Sequence, residues 1–264
     1  MTVSNRLKQK MLAHTPGLLN AWLMLGSPAI AELVSRQPWD SVTVDMQHGL
    51  SDFETTVSML RAMNGSEVTP MVRVPWMEPG LIQKVLDAGA LGVICPMINT
   101  QQECRQFVSV CRYAPGGSRS FGPTRAAVVG GADYWKHAND NVLTLAMIET
   151  VQAVENIAEI VDVEGLDGIY IGPSDLSLTL GLAPGADLGH PRLLDAVEHV
   201  RAAADAAGKF TVMHCSPVDY AMKMADKGFS LRTVSNDSRM LADAARAMFA
   251  VLQRVPRSES TNGY

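Results

Sequence analysis

Short runs of β-branched and large apolar residues recur along this chain, each followed by a turn and then by a stretch whose apolar residues stand three or four apart. Residues 19–24, 41–46, 69–74, 91–95, 142–148, 166–171, 210–214 and 229–233 are of the first kind and read as strands. Residues 53–64, 79–88, 101–110, 153–161, 192–207, 218–225 and 238–252 are of the second kind and read as helices. The strand runs are apolar on both faces, as in a parallel sheet covered on each side. Eight strand runs alternating with helical stretches such as these in 264 residues predict an α/β fold, a closed (β/α)8 TIM barrel. An open doubly wound sheet carries the same alternation, and periodicity does not decide closure. Ser51 and Asp52 can cap the helix that follows them, and Gly89 and Gly208 stand just past the ends of helical patterns. The one long irregular piece, 112–139, holds Arg112, Arg119 and Arg125 among several glycines. It reads as an anion-handling lid or as a surface loop of no special role.

Composition narrows the class. Hydrophobic residues make up 47% of the chain and charged residues 19%, the balance of a soluble domain with apolar surface to spare for subunit contacts. Residues 1–255 read as one domain and 256–264 as a flexible tail. The net charge of −5 gives no footprint for nucleic acid, and no apolar run is long enough to cross a bilayer. The basic, amphipathic N-terminus lacks the apolar core of a signal peptide and reads as a first helix, so a cytoplasmic protein is expected. Cys95, Cys104, Cys111 and Cys215 show no paired short spacing, which argues against a zinc knuckle or a disulfide framework. The 15 methionines are scattered and read as core filling.

In a (β/α)8 barrel the chemistry gathers where strands end. His48 follows the second strand run, Arg73 ends the third, Glu149 follows the fifth directly and Asp175 lies just beyond the sixth. Two carboxylates meeting at a dry barrel mouth repel unless one is protonated or a cation bridges them. A hard divalent ion suits such oxygen ligands. A helix cap or surface role is the alternative for Glu149, and an Asx turn in "GPSDLS" is the alternative for Asp175. Arg73, inside "MVRVPW", wants an anion, either from a substrate or from a structural aspartate. His48, in "VTVDMQHG", suits a general base with Asp45 behind it, or a plain hydrogen-bonder.

Taken together, "SPAIAELVSRQPWDSVTVDMQHG", "MVRVPW", "DAGALGVICPMINT", "CRYAPGGSRSFGPTRA", "AMIETVQAVENIAEI" and "GLDGIYIGPSDLSLTLG" resemble the class II, metal-dependent 2-oxo-acid aldolases. These are typified by 4-hydroxy-2-oxoheptanedioate aldolase and 2-dehydro-3-deoxyglucarate aldolase, within the aldolase and citrate lyase superfamily. The resemblance runs in order from about Leu19 to Arg246. It implies a (β/α)8 barrel, a hexamer built as a trimer of dimers, and a C-terminal helix exchanged between subunits. It implies reversible cleavage of a 4-hydroxy-2-oxo acid to pyruvate, or a close 2-oxo acid, and an aldehyde. Glu149 and Asp175 would hold Mg²⁺, Mn²⁺ or Co²⁺, Arg73 would steady charge on the pyruvyl oxygen, and His48 with Asp45 would serve the proton transfers. Gly172, Pro173 and Ser174 would seat the pyruvyl carboxylate, and Asp87 would approach a neighbouring subunit's site.

Two positions depart from the family pattern. Gln47 stands where a glutamate is usual, and Met147 stands where a glutamine faces the substrate. A thioether cannot donate the hydrogen bond an amide gives, so the preferred reactants are expected to differ. The competing readings are a related metal-dependent carbon–carbon lyase or decarboxylase acting on another oxo acid or a CoA thioester, and a non-catalytic carboxylate-binding barrel.

Overall fold

The computed structural model describes residues 4–185 and 188–252. Eight strands, β1 (Leu18–Leu23), β2 (Ser41–Asp45), β3 (Thr69–Arg73), β4 (Gly92–Cys95), β5 (Leu143–Ile148), β6 (Gly168–Ile171), β7 (Phe210–Cys215) and β8 (Leu231–Val234), follow the eight apolar runs. Each pairs in parallel with the next, and β8 returns to β1 with Leu18 level with Leu231 and Asn20 level with Thr233. That last pairing closes the barrel and excludes the open sheet.

Strand alternation sorts the side chains into two cores. Trp22, Met71, Ile94, Leu145, Met147 and Tyr170 fill the lumen. Residues one step along, such as Leu23, Val44, Val72, Val93 and Ile148, pack outward against the helices. The first helix, Arg6–Leu12, seals the end at which the strands begin. Leu7 and Met11 of this helix join the lumen core, Leu7 N–H donates to Thr69 Oγ1 at 3.1 Å, and Lys8 pairs with Asp167 at 2.7 Å.

Residues 112–139 are less irregular than expected. Helices Thr124–Gly130 and Tyr134–Asn141 occupy the second half, because small and aromatic residues there bury a face around Ala126, Tyr134 and Ala138. The three arginines are committed to structure, which corrects the reading of an anion-handling lid. Arg112 donates to Asp167 at 2.8 Å and to Val142 O at 2.9 Å, and Arg119 pairs with Asp87 at 2.7 Å. Arg125 donates to Ala88 O at 2.6 Å and Leu60 O at 3.1 Å. It passes beside Gly89, whose φ of +100° is left-handed and whose missing Cβ leaves that passage open. The stretch read as one helix over 153–161 breaks at Asn156 into Val151–Glu155 and Ile157–Val161.

The last helix, Asp237–Val251, is tied down only at its start. Asp237 accepts from the backbone N–H groups of Met24 at 2.8 Å and Leu25 at 3.0 Å. Beyond it Leu241, Met248, Phe249 and Val251 stand in solvent. Residues 256–264, expected as a flexible tail, lie outside the described residues. Among the described residues no helix is long and apolar enough to cross a membrane.

Candidate active site

The open end of the barrel is where the strands finish, and there buried charged side chains join the lumen. Asp45 ends β2 level with Arg73, which ends β3. Arg73 Nε and Nη2 donate to the two oxygens of Asp45 at 2.8 and 2.6 Å, the forked geometry that a planar guanidinium makes with a carboxylate. Trp22 Nε1 adds a third donor at 3.2 Å, and its ring lies under the guanidinium, 4.8 Å from Arg73 Cζ. Burial pushes the Asp45 carboxyl up, but Arg73, Gln47 N–H and Trp22 outweigh this and hold it below the usual range. It is an anion whose purpose is to hold Arg73. The third guanidinium nitrogen, Nη1, faces Met147, 3.9 Å from its sulfur. A thioether is a poor acceptor, so this nitrogen remains a donor in search of a partner.

Glu149 continues β5 into the mouth. The N–H of Met97 donates to its Oε1 at 2.9 Å. Met97 reaches that position with a φ of +56°, a left-handed conformation that a methionine adopts only when its surroundings impose it. The other oxygen, Oε2, is buried with no partner. Burial, with the nearby charge of Asp175 in support, pushes the Glu149 carboxyl up to about 7 against the opposing pull of Met97 N–H and Arg73. Asp175 projects from the first turn of helix Pro173–Thr179. Between them Gly172 leaves room: a Cβ there would stand 2.6 Å from Glu149 Oε2 and 2.7 Å from Met147 Cε.

This arrangement bears on a metal. Among the described residues no group of three or more His, Cys, Asp or Glu side chains forms a cage. The donors are two carboxylates, one with an orphaned, buried oxygen facing a space kept clear by a glycine. Hard oxygen donors with most positions left open fit a divalent cation that keeps waters or takes substrate oxygens.

The remaining expected residues fall in different places. His48 is exposed at the mouth, and only its backbone N–H meets Asp45, at 3.4 Å. The Asp45 carboxylate therefore fixes Arg73 and the turn after β2, and not the His48 ring. Gly172 N–H donates to Ile148 O at 3.3 Å and Pro173 has no N–H. Of that trio only Ser174 offers a first-turn amide without an intrahelical partner. Asp87 ends helix Pro79–Asp87 on the sealed side of the barrel, away from Glu149, and pairs there with Arg119. Sequence reasoning missed Trp22, Met97, Tyr170 and His214. The period-two pattern of "FTVMHC" carries a signal for His214, since it places that residue in the lumen with Val212.

Comparison with known proteins gives the family. The family model described as HpcH/HpaI aldolase/citrate lyase matches residues 19–244. A hydroxypyruvate/pyruvate aldolase of Rhizorhabdus wittichii is 42% identical over 232 residues, 88% of this chain and 92% of that protein. A 4-hydroxy-2-oxo-heptane-1,7-dioate aldolase of Salmonella arizonae is 33% identical over 251 residues, 94% of each chain. Among solved structures, an HpcH/HpaI aldolase/citrate lyase family protein from Burkholderia cenocepacia superposes with a TM-score of 0.89 at 32% identity, covering 95% of this chain and 100% of that one. The chain therefore belongs to the HpcH/HpaI aldolase/citrate lyase family and is an enzyme, a carbon–carbon lyase.

Proposed function

We propose that this lyase catalyses the divalent-metal-dependent, reversible aldol cleavage of a 4-hydroxy-2-oxo acid to pyruvate, or a close 2-oxo acid, and an aldehyde. The observation that carries the reading is the pairing of an orphaned Glu149 oxygen beside Asp175 with a guanidinium nitrogen of Arg73 that faces the same mouth. The activities named for the Rhizorhabdus and Salmonella relatives support it.

Glu149 and Asp175 would hold Mg²⁺, Mn²⁺ or Co²⁺, and the ion would polarise the 2-oxo group of a bound acid. As the carbon–carbon bond breaks, negative charge gathers on that oxygen. Arg73 Nη1 donates toward it, and Asp45 keeps the guanidinium aimed without reorganisation. Ser174 N–H receives the acid's carboxylate, with Gly172 and Pro173 shaping the floor. His48, at the rim, exchanges protons with the aldehyde oxygen and the methyl carbon. Met147 replaces a polar contact with an apolar, polarisable one and thereby shapes which acid is preferred. A CoA thioester is less well served, because Arg112, Arg119 and Arg125 are committed elsewhere.

The same reading includes a homo-oligomer, a hexamer built as a trimer of dimers. The exposed apolar side of helix Asp237–Val251 would be exchanged with a second copy, and Asp87 would serve a neighbouring subunit's site.

Hydrogen–deuterium exchange at the methyl group of pyruvate, followed by NMR, tests the proposal without choosing an aldehyde. After chelation, exchange is expected only on adding Mg²⁺, Mn²⁺ or Co²⁺, and Glu149→Ala or Asp175→Ala should abolish it. Exchange that persists in stringently metal-free protein would sink the metal assignment, and no exchange with any metal would sink the pyruvate reading.

A further inference from the structure

A column of buried polar side chains rises through the lumen to the mouth, and its direction can be read. The Asn20 amide satisfies its neighbours in one orientation, with Nδ2 donating to Ser41 Oγ at 2.8 Å and Oδ1 accepting from Thr233 Oγ1 at 2.9 Å. The single hydroxyl proton of Thr233 is thereby spent on Asn20. Thr233 Oγ1 accepts from Tyr170 OH at 2.7 Å, which spends the tyrosine proton too. The remaining neighbour of that phenol oxygen is His214 Nδ1, at 2.8 Å. When both hydroxyl protons are directed inward, as these bonds allow, the proton in this last bond comes from the imidazole. Burial and the charge of Arg73 push the His214 pKa down to about 4, so the ring is neutral near pH 7 and has one proton to place. In that arrangement it is on Nδ1.

The consequence lies at the other nitrogen. Tyr170 is level with Val212, one lumen layer deeper than His214. With Nδ1 turned down to it, Nε2 points up into the mouth. The ring is only half-buried, and Trp22 walls one side with an edge-on contact, centroids 5.0 Å apart. The same Trp22 lies under Arg73, so His214 borders the reacting centre across one aromatic ring.

We propose that the imidazole proton sits on Nδ1 and that His214 is a specificity-determining residue whose Nε2 lone pair accepts a hydrogen bond from a hydroxyl group on one of the two reactants. The enzyme thereby favours a hydroxylated 2-oxo acid or a hydroxylated aldehyde over the corresponding deoxy compound. A locked acceptor rewards a donor and leaves its lone pair uncompensated against a methyl group. The identity of the reactants rests on the aldol reading above, whereas the tautomer does not.

The test has two arms and an independent readout. With one aldehyde, hydroxypyruvate is compared with pyruvate as donor; with pyruvate, glycolaldehyde is compared with acetaldehyde as acceptor. The hydroxylated reactant is expected to lead in kcat/KM by about tenfold in one arm, and His214→Leu should bring that ratio close to one. His214→Gln, whose amide oxygen can accept, should restore part of it and serves if the leucine variant does not fold. Nitrogen-15 NMR of the histidine-labelled enzyme should show the Nδ1–H tautomer, with the Nε2 resonance moved by the hydroxylated compound and not by its deoxy partner. An Nε2–H tautomer, or ratios in both arms that His214→Leu leaves unchanged, would overturn the inference. Absence of turnover in both arms would instead count against the aldol reading, and the resonance shift would still decide the role of His214.

Discussion

Replacing Glu149 by glutamine should make the metal-free protein more stable at alkaline pH than the parent, relative to their difference in acid. The side chain keeps its shape and loses only its ability to ionise. In the folded chain burial and Asp175 hold the carboxyl near 7 instead of 4.5. Between those values the native state binds a proton that the unfolded state has released, so stability falls as pH rises through that window and levels off above it. At roughly 1.4 kcal/mol per pH unit the full loss is about 3 kcal/mol. Glutamine has no such loss. Urea unfolding of both proteins in chelator from pH 5 to 8.5, at one fixed concentration, isolates the slope and cancels any constant offset from the unpaired amide. The parent should lose about 2.5 kcal/mol relative to Glu149→Gln across that range, which begins just inside the window. Saturating Mg²⁺ should reverse the loss in the parent alone. Asp175→Asn should shift the window downward, since the aspartate charge is among the groups that raise Glu149. Parallel stability curves for the parent and Glu149→Gln would refute the reasoning.

Arg73→Lys should cost about a hundredfold in turnover and about 2 kcal/mol of stability, because one ammonium cannot span both Asp45 oxygens and still face the mouth; kinetics with denaturation checks both, and a drop in neither would detach Arg73 from the site. Gly172→Ala should weaken divalent-ion binding at least tenfold by calorimetry, since its Cβ would press on Glu149 Oε2; unchanged affinity would place the ion elsewhere. Phe249→Asp combined with Met248→Asp should lower the mass measured by light scattering, and an unaltered mass would free the last helix from any role in assembly.

Much of the barrel was legible because β-branched runs mark strands by their local chemistry. Helix Pro79–Asp87 and helix Gln101–Cys111, for instance, follow runs whose limits needed adjusting by only a residue or so. Closure was not legible, since it depends on Leu18 meeting Leu231, a contact that no local window contains. The polar residues show the same division. Glu149 and Arg73 stand out as charges in apolar runs. The partner of Asp45 does not: its neighbours in sequence point to His48, whereas strand pairing brings Arg73 level with it. His214 and Trp22 were absorbed into apolar strands because each carries a largely apolar ring, and only their hydrogen bonds reveal the polar work they do. The arginines of 112–139 look free in a glycine-rich stretch, but their partners lie on strands and helices distant in sequence.

The helix that stoppers the far end of the barrel also governs traffic. With Leu7 and Met11 driven into the lumen, the described residues leave the strand ends as the doorway, and reactants that enter the barrel queue there. On the aldol reading proposed above, the oxo acid would lie deepest, against Glu149 and Arg73, and the aldehyde between it and the solvent. In synthesis the acid would then arrive first, and in cleavage the aldehyde would depart first. Product-inhibition patterns report that sequence directly, with random-order kinetics as the contrary result. On that reading an aldehyde that leaves ahead of its partner spends the least time beside a nucleophilic carbon, so the stoppered barrel would limit its re-addition by the order of departure alone.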